Sequence, residues 1–173
     1  MIEPVLSIII PTWNRPALLL RAVESASAQS RGDVEVVVVD DASDPPVRLA
    51  PHRWLKLIRL DANRGHAAAR NIGARAAAGA WLTFLDDDDQ LLPDMVAVSL
   101  EAATSSSLSP PVAVTPGLQW VGANGEVVAT RRPPYACARA VLLSGAAGAW
   151  LLVPGQANAG RSERRLLGGR RLG

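Results

Sequence analysis

Four consecutive aspartates, Asp86 to Asp89, follow a short apolar segment. Carboxylates this close repel one another, so the run costs stability unless a cation or hydrogen-bond donors offset its charge. If residues 84–89 stay extended, Asp86 and Asp88 point to one side of the chain, and Asp87 and Asp89 point to the other. Two carboxylates on one side, together with a diphosphate, can hold one Mg²⁺ or Mn²⁺. The alternative for this segment alone is a solvated acidic turn.

Three other segments carry side chains suited to binding a nucleotide. Trp13 offers a flat aromatic face for a base, and the backbone amides of residues 12–14 precede a helix. Asp41 ends an apolar strand, where a carboxylate can accept a hydrogen bond from a base N–H or a ribose hydroxyl. Arg70 can donate to a diphosphate. The alternatives are that Trp13 only covers the core, that Asp41 forms an Asx turn, and that Arg70 pairs with the aspartates.

Length, composition and charge narrow the class of protein. The 173 residues suit one domain, and the 49% of apolar residues can build a core. The net charge of +2 gives no signal for nucleic-acid binding, so we expect no nucleic-acid partner. Cys137 is the single cysteine and no signal peptide is apparent, which favours a cytoplasmic location. Residues 140–153 are uncharged, but the segment is too short to span a membrane. Peripheral association with the inner face of the membrane is left open.

Apolar segments alternate with helical patterns along the chain. Strands are predicted over residues 5–10, 34–39, 55–60 and 81–85, and helices from Pro16, over 66–78 and from Pro93 to about 103. Pro11 is expected to break the first strand and Gly79 to end the second helix. This order predicts an α/β fold with a doubly wound, mostly parallel sheet flanked by helices.

The remaining residues divide into a hairpin and a tail. Residues 112–120 and 126–130 are predicted to form a hairpin around a Gly-containing turn. We expect residues 1–134 to form the domain and residues 135–173 to form a truncated or poorly ordered tail.

The predicted sheet brings distant residues together. Right-handed crossovers place the carboxyl ends of parallel strands at one edge. We therefore expect residues 11–14, 40–41 and 86–89 to converge there, which is the main argument from the residues themselves for a binding site.

Four stretches of the chain, in this order, resemble the family 2 glycosyltransferases, which share the GT-A fold. They are LSIIIPTWNR at 6–15, VVVDDAS at 37–43, NRG at 63–65 with ARNIG at 69–73, and WLTFLDDDD at 81–89 with Pro93. The resemblance covers about residues 5–104 and continues more loosely through residues 119–128.

The resemblance implies metal-dependent transfer of a sugar from a nucleoside-diphosphate donor, with a UDP-type donor favoured and inversion expected. The implied cofactor is Mg²⁺ or Mn²⁺, and the acceptor is unknown: a saccharide, a lipid-linked molecule or a protein. Asp41 matches the acid that holds the base, and Asp88 is preferred over Asp86 for direct metal contact. Nucleotide-sugar binding is implied for Pro11, Thr12, Trp13, Asn14, Asp41, Arg70, Asp86 and Asp87, and metal binding for Asp86 and Asp88.

The second half of the family pattern is altered in this sequence. The family places its general base in a later acidic pair, whereas the acidic residues after Glu101 are Glu126 and Glu163. No catalytic base is therefore assigned. A catalytically inactive, nucleotide-sugar-binding remnant and a truncated or frame-shifted enzyme stay open as alternatives. A nucleotidyltransferase is less favoured because residues 10–13 lack a glycine, and a receiver domain because no suitably placed late lysine follows.

Overall fold

The computed structural model describes residues 4–107 and 112–131, and the backbone of a two-residue strand at 153–154. Its elements in chain order are β1 (Leu6–Thr12), α1 (Pro16–Ser27), β2 (Val34–Asp40), β3 (Leu55–Arg59), α2 (His66–Ala76), β4 (Trp81–Phe84), α3 (Met95–Thr104), β5 (Leu118–Val121), β6 (Val127–Arg131) and β7 (Val153–Pro154).

The main sheet has the strand order β3-β2-β1-β4-β7. The first four strands are mutually parallel, and β7 pairs antiparallel with β4. Strands β5 and β6 form a separate antiparallel hairpin. The prediction of a doubly wound, mostly parallel α/β sheet is therefore confirmed, and the hairpin forms with a first strand shorter than expected.

Helices cover both faces of the sheet, which explains why its central strands are apolar throughout. Along β1, Leu6, Ile8 and Ile10 pack with residues of α1 and α3, whereas Ile9 packs with residues of α2 on the opposite face. This alternation follows from the two-residue period of a strand. Each face has its own apolar core, and the sheet between them is held as a rigid base for its loops.

Helix α2 packs closely on the sheet at Gly73. A Cβ added to Gly73 would come within 2.4 Å of Ile9 Cγ2 and 3.1 Å of Val39 Cγ2. Only glycine leaves room for this approach. Arg70 lies three residues before Gly73 on α2 and pairs with Asp86, so this close packing helps to fix the position of Arg70.

Strand β1 runs two residues further than predicted, through Pro11 and Thr12. Backbone groups of Ile9 face β4, since the Ile9 carbonyl accepts from the Leu85 amide, and those of Pro11 face the same way. Strand β4 ends at Phe84, opposite Ile9, so no residue of β4 lies beside Pro11. The missing N–H of Pro11 therefore costs the sheet no hydrogen bond.

The end of α2 also differs from the prediction. The helix ends at Ala76 rather than near residue 78, and Gly79 is not its cap. A Cβ at Gly79 would lie 2.6 Å from the backbone nitrogen of Ser7, so this glycine permits a close crossing over β1.

Several expectations fall on residues without a described structure. Cys137, Glu163 and the proposed boundary at residue 134 lie outside the described residues, and the division into a domain and a tail stays a prediction. No helix within residues 4–107 and 112–131 is long and apolar enough to cross a bilayer.

Candidate functional site

The four aspartates form a turn rather than an extended segment. Strand β4 ends at Phe84, and the Asp89 amide donates to the Asp86 carbonyl at 3.1 Å. The turn brings one carboxylate oxygen each from Asp86, Asp88 and Asp89 within 4.8 Å of one another. The expected pairing of Asp86 with Asp88 is present, but Asp89 joins them, contrary to the alternation that an extended chain would give. We call these three residues the carboxylate cluster.

Asp89 is the member of the cluster that strand periodicity missed. A signal was available in the sequence, because consecutive aspartates favour turns over extended chain. Burial raises the pKa of Asp89, and the charges of Asp86 and Asp88 raise it further. The three carboxylates of the cluster repel one another, and a bound cation would relieve that repulsion.

Asp87 points away from the cluster and is buried. Its Oδ2 accepts from the Thr12 hydroxyl at 2.8 Å, and its Oδ1 accepts from Arg15 Nη1 at 3.2 Å. Asp87 thus ties the acidic turn to the end of β1. Its predicted contact with a nucleotide sugar stays a prediction, as does that of Thr12.

Two arginines partly neutralise the acidic turn. Arg70 Nη2 forms an ion pair with Asp86 Oδ1, and Arg15 Nη1 forms one with Asp88 Oδ2 at 3.1 Å. The pairing of Arg70 with an aspartate was one of its two predicted roles. The Nε of Arg70 is buried without a hydrogen-bond partner in the part of the chain that is described.

Asp40 and Asp41 hold the neighbouring loops with different partners. The Asx turn that was the alternative for Asp41 forms instead at Asp40, whose Oδ1 accepts from the Ser43 amide at 2.9 Å. Burial would raise the pKa of Asp40, but hydrogen bonds from Ser43, Val47 and Arg59 outweigh it and lower that pKa.

The buried Asp41 accepts backbone amides with both carboxylate oxygens, from Arg64 at 2.7 Å and from Gly65 at 2.8 Å. It thereby fixes the loop that leads into α2. Its role in holding a base stays a prediction.

The loop after β1 carries Trp13 and Asn14 at the same edge of the sheet. Asn14 has a φ of 56°, and its amide donates to the Ser43 hydroxyl at 2.9 Å. Its side-chain Oδ1 accepts from the Asp44 amide at 2.8 Å. The Trp13 side chain is half exposed, whereas Pro11 is buried.

A second set of hydrogen bonds holds the acidic turn from its other side. The buried side chain of Gln29 donates to the Leu92 carbonyl at 2.9 Å and accepts from the Val96 amide at 3.0 Å. The Ser25 hydroxyl accepts from the Leu91 amide at 3.1 Å. Helix α1 and the residues just after it therefore fix the segment between the acidic turn and the start of α3.

The predicted convergence of residues 11–14, 40–41 and 86–89 is confirmed by these contacts. Thr12 reaches Asp87, and its carbonyl accepts the Asp41 amide at 2.9 Å. A cavity of about 220 Å³ lies instead at the amino ends of β2 and β3, and none of the predicted site residues lines it.

The donor set of the carboxylate cluster fits a hard divalent cation. It offers three carboxylate oxygens, the kind of ligand that Mg²⁺ and Mn²⁺ prefer, and it contains no sulfur or imidazole. Asp86, Asp88 and Asp89 are the residues that would hold such an ion.

A comparison with protein families identifies the chain. Residues 7–110 match the family described as glycosyl transferase family 2, which is more than half of the chain. The chain belongs to this family. The matched region includes all but the first residue of β1, the whole of β2, the carboxylate cluster and both arginines that pair with the acidic turn.

Curated relatives agree with membership of glycosyl transferase family 2. The chain is 40% identical over 107 residues to the succinoglycan biosynthesis protein ExoO of Rhizobium meliloti, covering 60% of this chain and 31% of the relative. It is 33% identical over 107 residues to a GalNAc(5)-diNAcBac-PP-undecaprenol beta-1,3-glucosyltransferase of Campylobacter jejuni, covering 58% of this chain and 35% of the relative. The match thus spans about a third of the length of these relatives.

Solved structures of glycosyltransferases share the fold, which is of the GT-A type. A mannosyltransferase from Pyrobaculum calidifontis, in complex with GDP-Man and Mn²⁺, is 28% identical with a TM-score of 0.56, over 66% of this chain and 36% of that protein. The S. aureus protein TarS, residues 1–349, has a TM-score of 0.53 at 24% identity, over 72% of this chain and 38% of that structure, and shows the fold alone.

Proposed function

We propose that this chain binds a nucleoside-diphosphate sugar, with a UDP-type donor favoured, and transfers its sugar to an acceptor with inversion. The observation that carries the proposal is the carboxylate cluster at the carboxyl edge of the sheet, beside Arg70. Open α/β sheets bind ligands at this edge. Family membership supports the reaction class, and the mannosyltransferase with GDP-Man and Mn²⁺ supports the donor class and the cation.

The carboxylate cluster would hold Mg²⁺ or Mn²⁺, with Asp88 the preferred direct ligand and Asp86 nearer the ribose or sugar. A bound divalent cation would offset the negative charge that grows on the leaving diphosphate. Arg70, which pairs with Asp86, adds a second positive charge for the same oxygens.

The base and ribose would contact the loops of β1 and β2. Trp13 is 52% exposed and so has a face free for stacking. Pro11, Thr12 and Asn14 would line the same loop. Each oxygen of Asp41 already accepts one amide and has a second lone pair for a base or ribose donor.

For the acceptor, we propose a chemical class and no individual molecule. Inversion requires an acceptor hydroxyl to attack from the face opposite the diphosphate while a carboxylate takes its proton. Saccharide, lipid-linked and protein acceptors are all compatible with a rim at the sheet edge. A lipid-linked saccharide is the first acceptor to test, because one relative is named for transfer to an undecaprenol-linked saccharide. Peripheral association with a membrane would accompany such an acceptor.

The proposal is tested by isothermal titration calorimetry with UDP and GDP, each with and without Mn²⁺. We expect UDP to bind in the presence of Mn²⁺ and at least about tenfold more weakly in its absence. Asp88→Asn should remove this Mn²⁺ dependence. Asp94→Asn is the matched control, because Asp94 is exposed and its side chain makes no capping hydrogen bond. Equal Mn²⁺ dependence in both variants would contradict the assigned site.

A second candidate, a nucleotide-sugar-binding protein without turnover, is favoured by the scarcity of later carboxylates. Beyond α3, the described residues carry one, on the exposed Glu126 next to the hairpin turn. The two candidates are separated by incubating the chain with UDP-sugars and measuring released UDP, with and without lipid-linked and free saccharides. Acceptor-dependent release would exclude the second candidate, whereas donor binding without release would support it.

A further inference from the structure

We propose that Arg15 is a positioning residue that acts as an internal counter-ion for Asp88, and that it lowers the affinity of the carboxylate cluster for a divalent cation. This inference rests on the proposed function, since it concerns the same cluster. Arg15 lies in the loop between β1 and α1, outside the set of residues that the sequence suggested for the site.

The backbone of Arg15 is fixed at the start of α1, so a change of partner at Arg15 involves only its side chain. Arg15 is the residue that caps the start of α1, its carbonyl accepts from the Leu19 amide at 3.0 Å, and Pro16 follows it. Proline restricts the backbone of the residue before it.

The two ion pairs of Arg15 are unequal. One nitrogen, Nη1, donates to both Asp87 Oδ1 and Asp88 Oδ2, at 3.2 and 3.1 Å. The Asp87 side chain is 9% exposed and is also held by the Thr12 hydroxyl. The Asp88 side chain is 52% exposed, and Arg15 is its ion-pair partner. The contact with Asp87 is therefore an anchor, and the contact with Asp88 is the one that can exchange.

A cation that binds Asp88 competes with Arg15 for the same carboxylate. Before the cation arrives, the guanidinium reduces the repulsion between Asp88 and the other two members of the cluster. Once the cation is bound, the guanidinium repels it. The exposure of both partners limits this effect to the range of a surface ion pair.

Replacement of the charge tests the inference. Mn²⁺ is titrated without nucleotide into the unsubstituted chain, Arg15→Gln, Arg15→Lys and Arg21→Gln, and free Mn²⁺ is followed by electron paramagnetic resonance. We expect Arg15→Gln to bind Mn²⁺ about two- to fivefold more tightly than the unsubstituted chain, with a smaller difference at high salt. Arg15→Lys keeps the charge and should stay close to the unsubstituted chain, as should Arg21→Gln, whose exposed arginine lies further along α1.

The outcomes separate this inference from the proposed function. Unchanged or weaker Mn²⁺ binding by Arg15→Gln would overturn the role of Arg15 while leaving the cation site intact. Binding by Arg15→Lys as tight as that of Arg15→Gln would also overturn it, because the charge would then not be the cause. Failure of the unsubstituted chain to bind Mn²⁺, with or without UDP, would contradict both proposals. Circular dichroism of each variant is the check that it is folded.

Discussion

The hydroxyl of Thr12 donates to Oδ2 of Asp87 at 2.8 Å, and both residues are buried. These residues are 75 positions apart: Thr12 ends β1, and Asp87 lies in the turn that follows the neighbouring parallel strand β4. The bond joins the loop that carries Trp13 to the turn that carries the carboxylate cluster. A buried carboxylate needs such donors, because burial without them is costly.

Thr12→Val should therefore destabilise the protein and loosen the acidic turn. The valine keeps the shape of threonine but leaves Asp87 Oδ2 without its buried donor, at a cost of about 1–3 kcal/mol. The free energy of unfolding from urea titration measures this cost. Thr12→Ser keeps the hydroxyl and should lose less. Equal stability of the valine variant and the parent chain would mean that water or another donor replaces the hydroxyl.

The sheet and the convergence of its loops could be predicted from the sequence, because continuous apolar strands and crossover handedness depend on local pattern and general rules. The all-apolar run from Ile8 to Ile10 indicates a strand covered on both faces, and the structure confirms it. The end of β1 could not be predicted in the same way. Pro11 continues the strand only because β4 stops at Phe84, which is a tertiary fact.

Details of the candidate site depended on turn geometry that strand periodicity does not contain. The alternation of side chains along an extended strand predicts that Asp89 and Asp86 lie on opposite sides, whereas the turn brings their carboxylates together. The same turn directs Asp87 toward Thr12 and Arg15. These contacts connect residues more than 70 positions apart, so no local pattern reveals them.

Asp89→Asn should affect stability and cation binding in opposite directions. Burial and the neighbouring Asp86 and Asp88 raise the pKa of Asp89 in the folded protein. The folded state then binds more protons than the unfolded state between the two pKa values, so stability falls as pH rises through that window. The asparagine removes this loss, and the cation-free variant should be more stable than the parent at pH 7.

The same variant should bind Mn²⁺ about tenfold more weakly, because the cluster loses a charged ligand. Urea titrations at pH 4 to 7 and Mn²⁺ titrations measure the two effects, and Asp94→Asn serves as the control for the loss of one charge. A variant that is more stable but binds Mn²⁺ as the parent does would remove Asp89 from the cation site.

Gly73→Ala should displace α2 from the sheet. The added Cβ would come within 2.4 Å of Ile9 Cγ2, and overpacking of this kind costs about 1–3 kcal/mol. Because Arg70 lies one turn earlier on the same helix, we also expect weaker binding of UDP. Gly32→Ala is the control, since a Cβ there meets no atom within 4 Å and its effect should stay within about 0.5 kcal/mol. Thermal unfolding and calorimetry report the two effects, and a stable variant with unchanged UDP binding would show that the helix has room to move.

Ala42→Gly should stabilise the protein. Ala42 follows Asp40 and Asp41 just after β2 and has a φ of 64°, a conformation that costs an L-residue about 1–2 kcal/mol and glycine almost nothing. The gain is reduced by about 0.4–1 kcal/mol, because glycine gives the unfolded chain more freedom. We therefore expect a net stabilisation of about 0.5–1 kcal/mol by urea titration. Ala28→Gly is the control of opposite sign, because Ala28 has a φ of −87° and glycine there brings only the entropic loss. Loss of stability in both variants would mean that the backbone at residue 42 is not strained.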